Sequence, residues 1–350
     1  MFKVYDRNDL DDRAFLVKTG PVHVQFADSE PTTIECENII VGTEGYFNAE
    51  DSKAPRKRQL DVFVNDPSCF DEVLFGSVDQ MIKKYEFGYS TNIFLAHLTN
   101  LTNQHYIELT QTITTEMRRY QAHAQLFARL VNDVGLLAQS TKSTHLAKIF
   151  EKQKSLDLYE DGEILNKSDR LSSVNIPAKP MSEYVQRFKQ GALICKEGAI
   201  ANSMFVLLQG KVSVSSKGNY IASIEGQGEA FGELALFLEG KRTATLIAEK
   251  DTDVYEIKRT QLREFHYGHR NFFQAMAQRS CERISSNLDR IDRFSALKSV
   301  INSNSEINTS AEVLAASQKS IQTLFRELRE LDEVGKDPLL KNLLKKHSII

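Results

Sequence analysis

The 350-residue sequence is poor in cysteine: Cys36, Cys69, Cys195 and Cys281 stand far apart, with no CxxC and no Cys/His spacing. That spacing argues against a disulfide framework and against zinc, and no metal is expected. Seven prolines and 17 glycines are too few for a collagen-like or low-complexity chain. Long apolar runs are missing too. Met204–Leu208 is typical of the longest, far short of the ~18–20 residues a helix needs to cross the hydrocarbon core, so no membrane span is expected. A charge excess of one sign is also lacking. The net charge of −3 argues against a globally basic nucleic-acid binder. The first twelve residues alternate charges without an apolar signal core, and a cytoplasmic protein is expected.

Against these absences stand 41% hydrophobic and 26% charged residues, enough for packed cores. The length suggests about two domains of ~150 residues. The first ~75 residues read as strands: Phe15–Val17 and Val22–Phe26 flank Gly20-Pro21, and Asp61–Val64 follows a polar stretch, 49–58, with Arg56, Lys57 and Arg58. From about Val78 to Phe150 the apolar residues Ile107, Ile113, Met117, Tyr120, Phe127, Leu130, Val134 and Leu137 recur at helical spacing. Residues 151–180 turn polar and broken and read as a linker. Short strands resume over 184–257, and helices follow from about Leu262. The organisation expected is therefore a domain at 1–150, a linker at 151–180, a domain at 181–300, and a helical extension at 301–350.

This alternation hides an internal repeat. Leu16–Val24 lies over Val206–Val214, and Gly20 and Gly42 are 22 residues apart, as are Gly210 and Gly232. Further on, Arg58–Val64 lies over Arg242–Ala248 if the first copy carries six extra residues.

The segment Phe231–Ala248 carries the chemistry. Glu225-Gly-Gln-Gly-Glu229 leads into a short apolar run able to make one turn of helix, and Gly232 lets the backbone approach a ligand closely. The N–H groups near Leu234 and Ala235 have no intrahelical acceptor and can face an anion. Arg242 opens a strand that can return beside the turn with a fixed guanidinium fork. Glu233 is a lone acceptor suited to a hydroxyl. One acid for a hydroxyl and one arginine for a phosphodiester describe a nucleotide with a compact, singly charged phosphate. The competing account of Glu233 and Arg242 is an exposed ion pair in a turn.

With these residues in view, the chain from Tyr184 to the helix after Ile257 resembles cyclic nucleotide-binding domains, as in protein kinase A regulatory subunits, cyclic nucleotide-gated channels and bacterial catabolite activators. The stretches Phe188–Gly198 and Met204–Val214 share in the resemblance. It implies an α+β chain with two β-barrel (jelly-roll-like) domains, each followed by α-helices, and a ligand, cAMP or cGMP. It also implies that Glu233 accepts the ribose 2′-OH, Arg242 pairs with a phosphate oxygen, backbone around Ala235 completes the cradle, and Gly232 sits against the sugar. Thr243 stands where such domains differ between the two nucleotides, and the base stays open. The first copy has Val41-Gly42-Thr43-Glu44-Gly45 at this place, so its acid is displaced or replaced. We expect a degenerate copy, with Arg56 and Arg58 either relic phosphate ligands or a solvated basic loop.

The helix through Asn271–Phe294 carries an apolar stripe of Phe273, Ala277, Ile284, Leu288 and Ile291, and the resemblance makes it the lid and signal helix. Leu314, Ile321, Leu324, Leu328 and Leu331 follow heptad-like spacings of 7, 3, 4 and 3, which suits docking on a partner. The same stretch has a faint helix-turn-helix look but lacks a turn glycine and a basic excess. The reading is a non-enzymatic cyclic nucleotide receptor acting through a protein partner or a homodimer. The rivals are a catabolite activator-type DNA-binding regulator, a kinase regulatory subunit, a scaffold with relic domains, and an enzyme, for which no metal-ligand spacing, nucleophile motif or P-loop is found.

Overall fold

The computed structural model describes residues 1–26, 29–47, 57–111, 115–166, 184–216, 218–238, 240–303, 308–331 and 338–347. They divide into two compact units, Met1–Gln104 with Leu171–Leu288, and His105–Arg170 with Asp289–Ile350. This differs from the linear division expected from composition. The boundaries at 104/105 and 288/289 fall inside long helices, where nothing in the local sequence marks them.

In the first unit the chain opens with β1 (Phe2–Tyr5), β2 (Ala14–Val17), β3 (Val22–Gln25), β4 (Thr32–Ile34), β5 (Ile39–Val41), α1 (Glu44–Phe47), β6 (Asp61–Val64) and β7 (Phe70–Val73). These form a sheet β1-β6-β3-β4 and a sheet β5-β2-β7. Alternation is clean in β6, where Val62 and Val64 are buried between half-buried neighbours. The helices α2 (Phe75–Ile82) and α3 (Tyr85–Gln111) follow.

The later strands are β8 (Val185–Phe188), β9 (Leu193–Cys195), β10 (Ile200–Ala201), β11 (Ser203–Gln209), β12 (Val212–Ser216), β13 (Asn219–Ile224), β14 (Ala230–Phe231), β15 (Gly240–Lys241), β16 (Thr245–Ala248) and β17 (Thr252–Lys258). They make two four-stranded sheets, β13-β12-β16-β9 and β14-β11-β17-β8, with β10-β15 as a small ribbon. Phe205, Leu207, Val212, Phe231, Leu246 and Val254 form the core of this half. Strand order and pairing in the first set, β4-β3-β6-β1 and β5-β2-β7, follow those of β13-β12-β16-β9 and β14-β11-β17. The register agrees as well: Phe15 faces Val41 and Phe205 faces Phe231, each partner standing just before Gly42 or Gly232. The sheets are open-edged and paired face to face. The expected barrels are thus corrected to sheet pairs, because the short strands end before closing a ring of hydrogen bonds.

Between β14 and β15 lies α7 (Glu233–Phe237), and after β17 come α8 (Leu262–Gly268) and α9 (Phe272–Ser303). The stripe expected on α9 is buried at every position: Phe273, Ala277, Ile284, Leu288 and Ile291.

The second unit contains α4 (Thr115–Thr141), α5 (Thr144–Lys154), α6 (Asp157–Asn166), α10 (Asn308–Leu331) and α11 (Pro338–His347). Its core joins Phe127, Leu130, Val134, Leu158, Leu324 and Leu328. The linker expected at 151–180 is corrected where it is described: its start completes α5, and Asp157–Asn166 is helix α6. The polar Asp161-Gly162 pair hid this helix. A Cβ at Gly162 would collide with the Ala124 carbonyl, so the glycine marks close helix packing rather than a break. Residues 167–183 lie outside the described ones. The helix-turn-helix look of Ala311–Leu331 also gives way, since those residues sit in the single helix α10. No helix is long and apolar enough to cross a membrane among the described residues.

Candidate functional site

The site is built at the β14–α7 turn. Gly232 takes φ 72° and ψ 16° as the residue before α7, a left-handed conformation that glycine alone adopts without strain. A Cβ there would stand 2.7 Å from Arg242 Nη1, so the missing side chain is what admits the guanidinium.

Arg242 is brought back by the β10–β15 ribbon, in which Ile200 faces Lys241 and Ala201 faces Gly240. Its amide donates to the Ala199 carbonyl at 2.8 Å, and its own carbonyl accepts from the Gly198 amide at 2.8 Å. With the backbone clamped on both sides, the side chain is directed inward and is only 8% exposed. Nη2 donates to Ser203 Oγ at 3.0 Å and Nη1 to the Gly232 carbonyl at 3.4 Å. The guanidinium carbon lies 5.1 Å from the centroid of the Phe205 ring, which in turn stacks on Phe231 at 5.4 Å. Every one of these partners is neutral, and burial pulls the guanidinium below its usual range. A buried cation with neutral partners is costly, and that cost falls when an anion joins it.

Glu233 opens α7 and is buried. Its Oε1 accepts from Arg283 Nη1 on α9. Burial alone would raise the Glu233 carboxyl, but the Arg283 and Arg279 cations outweigh it and hold the group below its usual range. Arg279 Nη2 donates to the Ala230 carbonyl at 2.9 Å, so two residues one turn apart on α9 reach this turn. Leu234 and Ala235 occupy the turn itself, and the Leu238 amide donates to the Leu234 carbonyl at 2.7 Å. Arg259 secures the far end, donating to the carbonyls of Leu236 at 2.8 Å and Ala235 at 2.9 Å. Thr243 is exposed, one residue beyond Arg242.

The structure therefore places Gly232, Glu233, Leu234 and Ala235 in one turn and brings the Arg242 side chain beside it. Glu233 is a buried acid held by Arg283, not an exposed partner of Arg242. Sequence reasoning missed Ser203, Arg259 and Arg283, which come from distant strands and helices. For Arg283, the signal was its i+4 relation to Arg279 on the face of α9 that meets the turn. Arg58, weighed as a solvated loop cation, is 5% exposed and buried instead. Arg56 lies outside the described residues.

The residues fit a nucleotide phosphate on two observations: a buried guanidinium whose hydrogen-bonding partners among the described residues are all neutral, and a cradle that a Cβ would fill.

Residues 185–267 match the family model of the cyclic nucleotide-binding domain. A cGMP-dependent protein kinase of Drosophila melanogaster is 33% identical over 106 residues, covering 30% of this chain and 8% of that protein. The human potassium/sodium hyperpolarization-activated cyclic nucleotide-gated channel 4 is 31% identical over 114 residues, covering 33% of this chain and 9% of that protein. The chain thus spans about a tenth of the length of the curated relatives it matches. Among solved structures, cAMP-bound PfPKA-R is 16% identical, covering 78% of this chain and 76% of that chain, with a TM-score of 0.25. Residues 185–267 therefore belong to the cyclic nucleotide-binding domain family.

Proposed function

We propose that the chain is a cyclic nucleotide receptor without catalytic activity of its own, binding cAMP or cGMP at the β14–α7 turn. The observation that carries this reading is the buried Arg242 guanidinium, set beside left-handed Gly232 with only neutral hydrogen-bonding partners among the described residues. The fold has already stripped water from this cation, so a phosphodiester oxygen gains a strong charge-assisted pair at little further cost. The remaining roles follow from the family. Glu233 accepts the ribose 2′-OH on the oxygen that Arg283 leaves free, the amides of Leu234 and Ala235 face the phosphate, Gly232 meets the sugar, and Thr243 lies toward the base.

The same reading treats residues 2–73 as a second, degenerate copy, which the shared strand order and register support. The acid of the first copy is replaced by Thr43. Ligand would act on α9, because Glu233 is joined to Arg283 on that helix. A nucleotide moves the helix only as far as its affinities for the two positions differ. The output would be a change in contact with a protein partner or a second copy, in the cytoplasm.

The test is a thermal-shift titration of the purified chain with cAMP and cGMP, beside Arg242→Ala. At ~100 times its dissociation constant, a ligand at one site adds about 2.7 kcal/mol. A rise in Tm with at least one nucleotide, abolished in Arg242→Ala, is expected. No rise with either at millimolar ligand sinks the proposal.

A further inference from the structure

The first sheet pair contains a turn built like the candidate site, with one difference. Gly42 has φ 71° where Gly232 has 72°, and each is followed by a short helix. A Cβ at Gly42 would collide with Arg58 Nη1, as one at Gly232 would press on Arg242 Nη1. Arg58 lies over the Tyr5 ring at 4.0 Å and the Phe15 ring at 5.5 Å. Phe15 and Phe205 hold the same place in their sheets, so the two arginines are seated alike.

The difference lies in what each arginine faces. Both donate to neutral groups, Arg242 to Ser203 and the Gly232 carbonyl and Arg58 to the Arg13 carbonyl, but only Arg58 has a carboxylate within ion-pair distance among the described residues. Arg58 Nη1 stands 3.2 Å from Asp11 Oδ1, with the two side chains 3% and 4% exposed. Asp11 comes from the segment between β1 and β2, and its carboxylate also fills the space a Cβ would take at Gly45. What remains beside the pair is a cavity of about 30 Å³, lined among others by Tyr5, Glu44, Lys57 and Ser285. That is room for about one water molecule and not for a nucleotide.

We propose that Asp11 is the built-in anion of the first turn, a carboxylate of the chain standing where the second turn would take a phosphate. The native first turn therefore binds no cyclic nucleotide. With Asp11 removed, Arg58 becomes a site for a small anion of the formate or phosphate type. Two buried opposite charges explain why the arginine persists in a copy that has lost its acid, since removing either partner strands the other. The likeness to Arg242 rests on the proposed function; the Arg58–Asp11 pair does not.

The test uses the full chain. Asp11→Ala is expected to lower Tm, and sodium formate or sodium phosphate to restore it saturably by roughly 2–5 °C relative to sodium chloride of equal ionic strength. The native chain and Asp11→Ala/Arg58→Met keep only the anion response that Arg242 gives, so their rise should be smaller than that of Asp11→Ala. Equal responses in all three overturn the proposal. Asp11→Asn serves where Asp11→Ala does not fold: adding Arg58→Met should recover part of its loss, and no recovery overturns the proposal. Calorimetric titration of the native chain should give one nucleotide per chain, a number unchanged by Arg58→Met. Two per chain, with one lost in Arg58→Met, also overturns it. No nucleotide binding at all sinks the proposed function while leaving the anion rescue to decide this inference.

Discussion

Thr43 and Glu233 occupy the same place in their two turns, each directly after a left-handed glycine, and α9 meets them from two different faces. Thr43 Oγ1 is 3.7 Å from Cys281 Sγ, while Glu233 is bonded to Arg283. Ser285 then donates to Gln59 at 2.8 Å and Arg279 to Ala230 at 2.9 Å. Positions 281 and 285 share one face of the helix, and 279 and 283 share another.

Gly232→Ala should fold but respond weakly to nucleotide. A non-glycine residue at φ 72° costs about 1–2 kcal/mol, and its Cβ displaces the Arg242 guanidinium. Thermal unfolding with and without cAMP or cGMP checks this: the unliganded Tm should drop a few degrees and the ligand-induced rise should shrink. An unchanged rise would refute the cradle.

Arg283→Ala leaves Glu233 buried with Arg279 as its nearest cation, and should cost about 1–3 kcal/mol at pH 7. The sign with pH follows from the lowered Glu233 carboxyl. Its stabilising contribution is complete above the unfolded value of ~4.3 and is lost as pH falls through the lower folded value. Native and variant stabilities in urea should therefore converge on acidification. Curves that stay parallel to pH 3 would count against the pair.

Glu44 should act in the opposite sense. Burial first, and then Asp11, push its carboxyl up to about 7, against the pull of Arg58. The folded chain keeps this proton where the unfolded chain releases it, so the contribution is present below ~4.3 and declines as pH rises to about 7. Lys57 and Arg58 line the same cavity. Glu44→Gln should gain on the order of 1–3 kcal/mol at pH 8 and almost nothing at pH 4, read by urea unfolding at both. A loss at pH 8 would show that the fold favours the Glu44 carboxylate, and would refute the raised carboxyl.

In the helical unit, Asp161 accepts from both Tyr120 and Arg293 and is 1% exposed. Asp161→Ala should cost about 2–4 kcal/mol, discounted because Arg293 is partly exposed. Hydrogen exchange of the full chain should show faster exchange in α4 and α6. Unchanged protection there would contradict the role.

Those elements of the site set by neighbours in the chain were legible in the sequence. Gly232, Glu233 and the turn that follows are contiguous, and Arg242 returns within ten residues, so composition and spacing sufficed. Ser203, Arg259 and Arg283 were not, because each arrives from another element and is an ordinary polar residue in its own surroundings. Arg58 was misjudged for the same reason. Its flanking residues are basic and polar, and the carboxylate that buries it lies 47 positions earlier, at Asp11. The helix at Asp157–Asn166 was hidden because Asp161 and Gly162 read as a break, whereas one accepts a buried hydrogen bond and the other allows helices to touch.

The two-faced seating of α9 has a consequence for dose. If nucleotide at the second turn moves this helix, the helix must also loosen or tighten on Thr43 and Gln59. Linkage then requires the reverse: a change in the first turn that favours one position of α9 shifts nucleotide affinity in turn. A substitution at Thr43 or Cys281, touching no ligand, would reset the concentration at which the chain responds. The silent copy would thus work as the sensitivity dial of the responsive one.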